Sequence, residues 1–351
     1  MKDFLKYTLA TITGIILSSI VFFIILIGSL SALVASGDKP VTLEDNSILV
    51  LKTGMIIPDR GNQNPFAGLN LLNLDFTPVP GLNEILKNIE KAAEDDKIRG
   101  ILIENGVQNS GWATTEEIRD AIRKFRSEGK FVISYSDYYM PQQCYYLATA
   151  ADKIYLNPGC MVDFKGLSSE VMFFKDALKK IGVDVQVVRH GKFKGAVEPF
   201  ILDKISDENK AQIKDYTGSI WGHVIENISE SRNIHVDELN RLADNLQGTI
   251  AINALQSKLV DGILFRDILL DTLKDLSGIE RDEDLKLISM VKYTKVTERK
   301  KASSKAKISV IYAEGNIVMG KGNEANIGGN HYADIIRKER NGENKRIPLC
   351  I

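Results

Sequence analysis

Between Tyr7 and Gly37 the chain carries no charged residue, and the centre of that stretch is almost continuously apolar, from Ile15-Ile16-Leu17 through Ile20 to Ile27. A helix needs roughly 20 apolar residues to cross the hydrocarbon core of a bilayer, and this segment exceeds that. The apolar core of a cleaved signal peptide is only ~7–15 residues long. We therefore expect residues 1–37 to form a cytoplasmic tip and a transmembrane anchor, in contact with lipid over residues 7–35. Small residues from Ala32 to Gly37 leave a cleaved signal as the alternative. Lys2 and Lys6 precede the span, which keeps the short amino end in the cytoplasm and sends the body across the membrane. A single span excludes a channel or transporter made by one chain.

A body of this length, 351 residues in all, suggests about two domains. Lys plus Arg is 45 against Asp plus Glu 46, a formal net charge of −1. That balance lacks the basic excess of a protein built to bind nucleic-acid phosphates. The three cysteines, Cys144, Cys160 and Cys350, show no CxxC spacing, so neither a disulfide framework nor a Cys-rich zinc site is expected.

Apolar runs of strand and helix type alternate through the body. Ile48–Leu51 and Ile98–Ile103 read as buried strands, with Leu82, Ile85, Leu86 and Ile89 at helical spacing between them. Thr114 with Glu117 forms a capping box, and Ile118, Ala121, Ile122 and Phe125 continue as an apolar stripe. Gly129 stops that helix before a strand at Phe131–Ile133. A helix over Pro141–Ala151, a strand at Ile154–Leu156, a helix at Phe173–Lys180 ended by Gly182, and an alternating strand through Val183, Val185 and Val187 follow. This order predicts an α/β fold with a largely parallel sheet. Beyond Ser206 the pattern is helical to about Leu276. Arg281–Lys307, which includes Arg299-Lys300-Lys301, reads as an exposed connection, and Met172-Phe173-Phe174 reads as core. Pro58–Pro80 reads as a long loop.

The chain starts over near residue 308. Ile48–Ile57 resembles Ile308–Val318 with one residue inserted: a strand, a glycine, then a second short apolar run. The domains expected are thus a first repeat with helical extension over 47–300 and the start of a second repeat over 305–351. Counting back from the strand of the first repeat, Glu94-Asp95-Asp96-Lys97 aligns with Gly342-Glu343-Asn344-Lys345, Ile98 meets Arg346, and Gly100 meets Pro348. A proline removes a ladder donor and is confined to edges or bulges. We expect the sequence from about Lys345 onward to be foreign to the fold, as after a frameshift or premature stop; a short terminal edge strand is the alternative.

No HExxH, Walker A or GxSxG motif occurs. His190, His223, His235 and His331 are scattered and read as structural or exposed. The segment Arg189-His190-Gly191-Lys192-Phe193-Lys194-Gly195-Ala196-Val197-Glu198-Pro199-Phe200 follows a strand end and is punctuated by glycine, where α/β folds often place functional residues. A lysine there acts as a general base once burial or a nearby cation lowers its pKa from ~10.4, and a neutral amine can take the proton of a serine hydroxyl. The competing reading is a solvated loop lysine. Ser110, after the strand at Ile98–Ile103, reads as a polar loop residue rather than a nucleophile. Asn227-Ile228-Ser229 matches a glycosylation acceptor but lies in a helical pattern.

The apolar amino-terminal span, the Lys194–Phe200 segment, the restart at Ile308–Gly320 and Lys258-Leu259-Val260-Asp261-Gly262 together resemble the signal peptide peptidase A (protease IV) family, in its long two-repeat form. The resemblance covers residues 1–344, with Phe193 where members often have Tyr and Gly195 where they often have Ser. It implies a crotonase/ClpP-like fold, a Ser-Lys dyad, no cofactor or metal, and signal-peptide substrates. Assembly into a homo-oligomer when full length, and a place in the inner membrane with the body on the periplasmic side, are further implications. Lys194 matches the general base. The family's nucleophilic serine lies in a Gly-Gly-Ser segment of the second repeat, and that segment is absent from this chain. The expected function is thus a membrane-anchored serine peptidase subunit lacking its nucleophile. Alternatives are a non-catalytic peptide-binding scaffold and a crotonase-like acyl-thioester enzyme.

Overall fold

The computed structural model describes residues 2–36, 41–54, 56–61, 69–70, 75–76, 80–106, 110–297, 307–323, 326–341 and 346–350. The chain forms two compact units. The larger comprises Glu44–Ile56 and Ala92–Ile288; the smaller comprises Met1–Leu43, Ile57–Lys91 and Ser289–Ile351.

The larger unit is organised by a six-stranded sheet. Its strands are β1 (Ser47–Lys52), β2 (Ile98–Glu104), β3 (Phe131–Ser136), β4 (Lys153–Leu156), β5 (Gly262–Ile263) and β6 (Leu287–Ser289), in the order β6-β1-β2-β3-β4-β5. The pairings from β1 through to β5 are all parallel. Parallel neighbours need crossover connections, which here are helical. Helix α1 (Trp112–Ser127) joins β2 to β3, α2 (Gln142–Ala148) joins β3 to β4, and α3 (Asp207–Arg232) lies in the long excursion before β5. Helix α4 (Arg266–Ser277) follows β5. Ile101, Leu102 and Ile103 are all fully buried, so β2 is covered on both faces, and this is why its sequence is continuously apolar rather than alternating.

One core packs Ile48, Leu102, Ile133 and Tyr135 of the sheet against Leu269 and Leu273 of α4. The other joins Tyr145 and Tyr146 of α2, Ile154 and Leu156 of β4, and Val224, Ile225 and Ile228 of α3. Helix α1 buries Thr115, Ile118, Ile122 and Phe125, spaced three or four apart, and Arg119 beside them. Arg119 is fully buried, and loss of water pulls its pKa below the ordinary value. Its guanidinium donates to the Asn227 carbonyl (3.2 Å) and to Ser231 Oγ (2.7 Å) and sits 4.8 Å from the Tyr146 ring centroid. Asn227 is therefore a helix–helix fastener.

Several local expectations are corrected. Helix α1 starts at Trp112 with Gly111 as N-cap and no side-chain cap, so Thr114 and Glu117 form no capping box. Trp112 packs against Tyr146 (ring centroids 6.0 Å apart), and this contact draws the helix start back. Val183, Val185 and Val187 belong to no strand; residues 183–190 are non-regular, partnerless as a strand among the described residues, and mostly exposed. Met172 and Phe174 are exposed rather than core, Phe174 stacking on Phe200 at 6.3 Å.

In the smaller unit the amino-terminal helix Lys2–Ser36 has 35 residues, and its side chains from Asp3 to Ile25 are exposed. At ~1.5 Å per residue it is longer than the ~30 Å hydrocarbon core. Its Asp3–Ile25 stretch is long and apolar enough to cross a membrane, a property that signal sequences share. Thr8, Thr11 and Thr13 each donate to the carbonyl four residues back (2.8, 2.9 and 2.8 Å), which satisfies their hydroxyls within the helix itself.

The connection beyond Arg281 is not uniformly exposed: Met290 and Tyr293 of the short helix Met290–Thr294 are buried. Asn88 Nδ2 donates to the Met290 carbonyl (3.0 Å), and Lys91 Nζ donates to the Tyr293 carbonyl (2.7 Å) and lies over the Tyr293 ring. A lysine at the last carbonyls of a helix is favourably placed. Arg299-Lys300-Lys301, most of Pro58–Pro80 and Gly342–Lys345 lie outside the described residues.

Strand β7 (Lys307–Ile311) pairs in parallel with β8 (Arg346–Cys350), with Lys307 opposite Arg346 and Ser309 opposite Pro348. In the first repeat Ser47 stands opposite Ile98. The two pairings agree at that first pair only: Ile48 then stands opposite Gly100 across a register shift, whereas Ile308 stands opposite Ile347. Both strands of a two-stranded sheet are edges, where a proline is tolerated.

Leu102→Ala should cost about 2–5 kcal/mol in urea unfolding, because the cavity opens in a strand covered on both faces. Ile308→Ala, at a position 73% exposed, should stay within about 0.5 kcal/mol.

Candidate functional site

The backbone leaves the helix Lys175–Lys180 through Gly182 (φ +76°) and runs to Arg189 without a strand partner. It turns at Gly191 (φ +98°), a conformation that favours glycine. Lys194 then stands immediately before a short 3₁₀ turn, Gly195–Val197, which leads into the helical turn Glu198–Ile201 with Pro199 in its first positions. Lys194 is exposed. It lines an open depression of about 690 Å³ together with Val187, Arg189, His190, Phe193 and residues Asn209, Ile213 and Tyr216 of α3.

What holds this loop is Glu198, whose side chain is 1% exposed. Its carboxylate accepts from the Ser206 hydroxyl (2.5 Å), the Ser206 backbone N–H (3.2 Å) and Asn209 Nδ2 (3.1 Å). Ser206 is also the N-cap of α3, its hydroxyl oxygen accepting from the Asn209 N–H at 3.2 Å. The carboxylate therefore sits at the start of a 26-residue helix, the end that favours negative charge. The Ser206 hydroxyl bond, then the backbone and Asn209 bonds and the Arg189 charge, hold its pKa below the ordinary value, against the opposing effect of burial. Arg189 completes the arrangement: its Nη1 lies 4.0 Å from Glu198 Oε1 and donates to the Lys194 carbonyl at 2.8 Å. Gly195 packs against Asn209; a Cβ there would fall 2.5 Å from the amide. The residue the family often places at 195 would thus push against a group that holds Glu198.

Ser110 lies elsewhere, before α1, with its carbonyl accepting from Gln143 Nε2 at 2.8 Å, and is not among the residues lining the depression. No serine is among the described residues that line it. Among the described residues no group of His, Cys, Asp and Glu is arranged to hold a metal ion. The sequence marks Lys194 and quotes Arg189 and Glu198 without giving them roles. It misses Ser206 and Asn209, although a serine followed three residues later by a side chain that reaches back is a recognisable helix-start signal.

The larger unit is thus an α/β body with a mostly parallel sheet that presents Lys194 on a hydrogen-bonded loop beside an open depression. Comparison with known proteins gives the family. Residues 124–280, which contain Lys194, match the family model described as Peptidase family S49. "Protease 4" of Haemophilus influenzae is 32% identical over 329 residues, covering 90% of this chain and 53% of the relative. "Protease 4" of Salmonella typhi is 28% identical over 357 aligned residues, 97% of this chain and 57% of the relative. "Serine protease SPPA, chloroplastic" of Arabidopsis thaliana is 27% identical over 250 residues, 70% of this chain and 36% of the relative. The chain belongs to peptidase family S49, a family of serine-type peptidases. It spans about half the length of the Protease 4 relatives it matches.

The lowered Glu198 pKa sets a pH dependence. Its contribution is fully present above the ordinary carboxylate value of 4.5 and is lost as pH falls through the depressed value in the folded chain. Amide exchange of residues 194–209, corrected for intrinsic rates, should therefore accelerate below about pH 4.5. In Glu198→Gln that acid-induced step should disappear; its persistence would assign the step to another group.

Proposed function

We propose that this chain supplies the general base of a membrane-anchored Ser-Lys peptidase, with Lys194 as the base and the nucleophilic serine contributed by residues outside this sequence. The observation that carries the reading is the placement of Lys194 on a pinned loop at a groove with no serine among its described lining residues. The chain's coverage of only about half of the Protease 4 relatives supports the same division. On this reading residues 305–351 begin the second repeat that precedes the nucleophile.

The chemistry follows from the residue types. Neutral Lys194 Nζ takes the proton from the serine hydroxyl as the oxygen attacks the peptide carbonyl. Backbone N–H groups stabilise the oxyanion, and the lysine returns the proton to the leaving amine as the C–N bond breaks. Water, deprotonated by the same amine, then attacks the acyl ester and releases the serine. On this proposal the segment that carries the serine also covers Lys194, which is exposed in this chain, since an amine becomes neutral near pH 7 only when burial or a nearby cation disfavours its charge. The substrate class proposed is peptides, and specifically signal peptides already cut from their proteins. The apolar Lys2–Ser36 helix would hold the enzyme in the inner membrane with the body on the periplasmic side. A homo-oligomer formed by the complete protein belongs to the same proposal.

The test combines the full chain with the portion of the Haemophilus influenzae relative that it does not cover, using a fluorogenic peptide. Hydrolysis should require both parts. Lys194→Ala should lower kcat by about 10²–10⁴-fold, and Ser110→Ala should leave it unchanged. Hydrolysis by the chain alone that Ser110→Ala abolishes would overturn the division. Peptide binding without turnover in the combined material would favour a non-catalytic peptide-binding subunit.

A further inference from the structure

Most of the Arg189 guanidinium is unused by the loop that holds it. Its bond to the Lys194 carbonyl (2.8 Å) and its approach to the Glu198 carboxylate (4.0 Å) are both made by Nη1. Nε and Nη2 have no partner among the described residues. The side chain is one-third exposed and lines the open depression. A guanidinium fixed through one nitrogen, with its neighbouring donors open, keeps the planar fork that matches the two oxygens of a carboxylate. The rest of the depression suits the same ligand. His190 and Lys194 line it with Arg189, and no Asp or Glu is among its described lining residues. Glu198 is buried and its oxygens are taken by Ser206 and Asn209, so it offers no competing surface charge. Val187, Phe193 and Ile213 add an apolar wall. The volume, about 690 Å³, falls within the roughly 300–1,000 Å³ of sites that enclose a small ligand. Cationic donors beside apolar side chains fit an anion carried on an apolar residue better than a free inorganic anion.

We propose that this depression binds the free carboxyl end of a peptide, with the open donors of Arg189 on the terminal carboxylate and the apolar wall against the last side chains. Cutting a protein chain leaves a carboxylate on the released piece. The same residues inside an intact chain continue into a neutral amide, which offers Arg189 no charge to meet. Arg189 is therefore a specificity-determining residue: it selects peptides already cut over the proteins they came from. The inference rests on the reading of Lys194 as base only in that the peptide selected is also the one hydrolysed.

The test uses the full chain in detergent micelles and a dye-labelled Ala-Leu-Ala peptide, made both as the free acid and as the carboxamide. Binding is read by fluorescence anisotropy near neutral pH. The acid should bind about tenfold more tightly than the amide, or better. In Arg189→Gln the acid should lose that advantage while affinity for the amide holds. A purely structural role would weaken acid and amide together and leave their ratio in place, which overturns the proposal. Arg189→Lys keeps the charge without the fork, so its ratio should lie between those of the parent and Arg189→Gln; a ratio equal to the parent's overturns the assignment to the fork. Lys194→Ala should keep most of the preference. A preference lost in Lys194→Ala and kept in Arg189→Gln overturns the proposal, as does equal binding of acid and amide to the parent chain, or binding of neither. If the preference fails in any of these ways while Lys194→Ala abolishes hydrolysis in the combined assay, the base reading stands without it. If the preference behaves as expected but Lys194→Ala remains fully active, the base reading falls and the depression remains a site for peptide ends.

Discussion

A carboxylate taken out of water must be met by several donors or it will not remain ionised. Glu198 meets that requirement at the first turn of a 26-residue helix, where Ser206 and Asn209 present three donors and the helix end adds a favourable field. Several constraints on the Lys194 loop meet at this carboxylate. Arg189 is drawn to it and thereby reaches the Lys194 carbonyl. A Cβ at Gly195 would meet the Asn209 amide that serves Glu198, so a larger residue there would have to displace that side chain. Phe200, two residues after Glu198, stacks with Phe174 and ties the far end of the turn to the start of the helix Lys175–Lys180.

This arrangement places the candidate base away from the parallel sheet. In many α/β folds the reactive groups stand at the carboxyl ends of the strands and take their rigidity from the sheet. Here Lys194 is reached through an unpaired stretch, 183–190, that no strand supports. Its rigidity comes from α3, whose other end is built into the core: Val224, Ile225 and Ile228 are buried, and Asn227 and Ser231 hold the buried Arg119 of α1. The long helix thus carries the stiffness of the sheet's helical layer out to the loop.

The sequence was readable where burial alone decides the conformation. Ile98–Ile103 is apolar without interruption because both faces of β2 are covered, and Ile118, Ile122 and Phe125 repeat at helical spacing because one face of α1 is. It was less readable where a partner decides. Val183, Val185 and Val187 alternate as a strand would, but alternation records a two-sided environment and does not name the neighbour that supplies it. The short helix Met290–Thr294 sits in a charged stretch and is fixed by Asn88 and Lys91, about 200 residues away, a relation no local window contains. Lys194 itself stood out through family resemblance. Composition and spacing left it indistinguishable from a solvated loop lysine, and the reason for its setting, Glu198 bonded to residues eight and eleven positions on, appears only once α3 is in place.

The exposure of Lys194 and the character of the segment before it point the same way. A base of this type functions in a site that excludes water, because an amine in water stays protonated near neutral pH. Residues 183–190 before it pair with no strand among the described residues, and Val188 and Phe193 present apolar surface to solvent. Exposed apolar side chains are a cost that a covering chain would remove by burial. The same cover would dehydrate Lys194. On the proposed function one event therefore does two things: it buries the apolar rim and brings the serine to an amine that has lost its water. A loop already pinned by Glu198 and Arg189 loses little conformational freedom when that happens, so more of the association energy is left for desolvating the base.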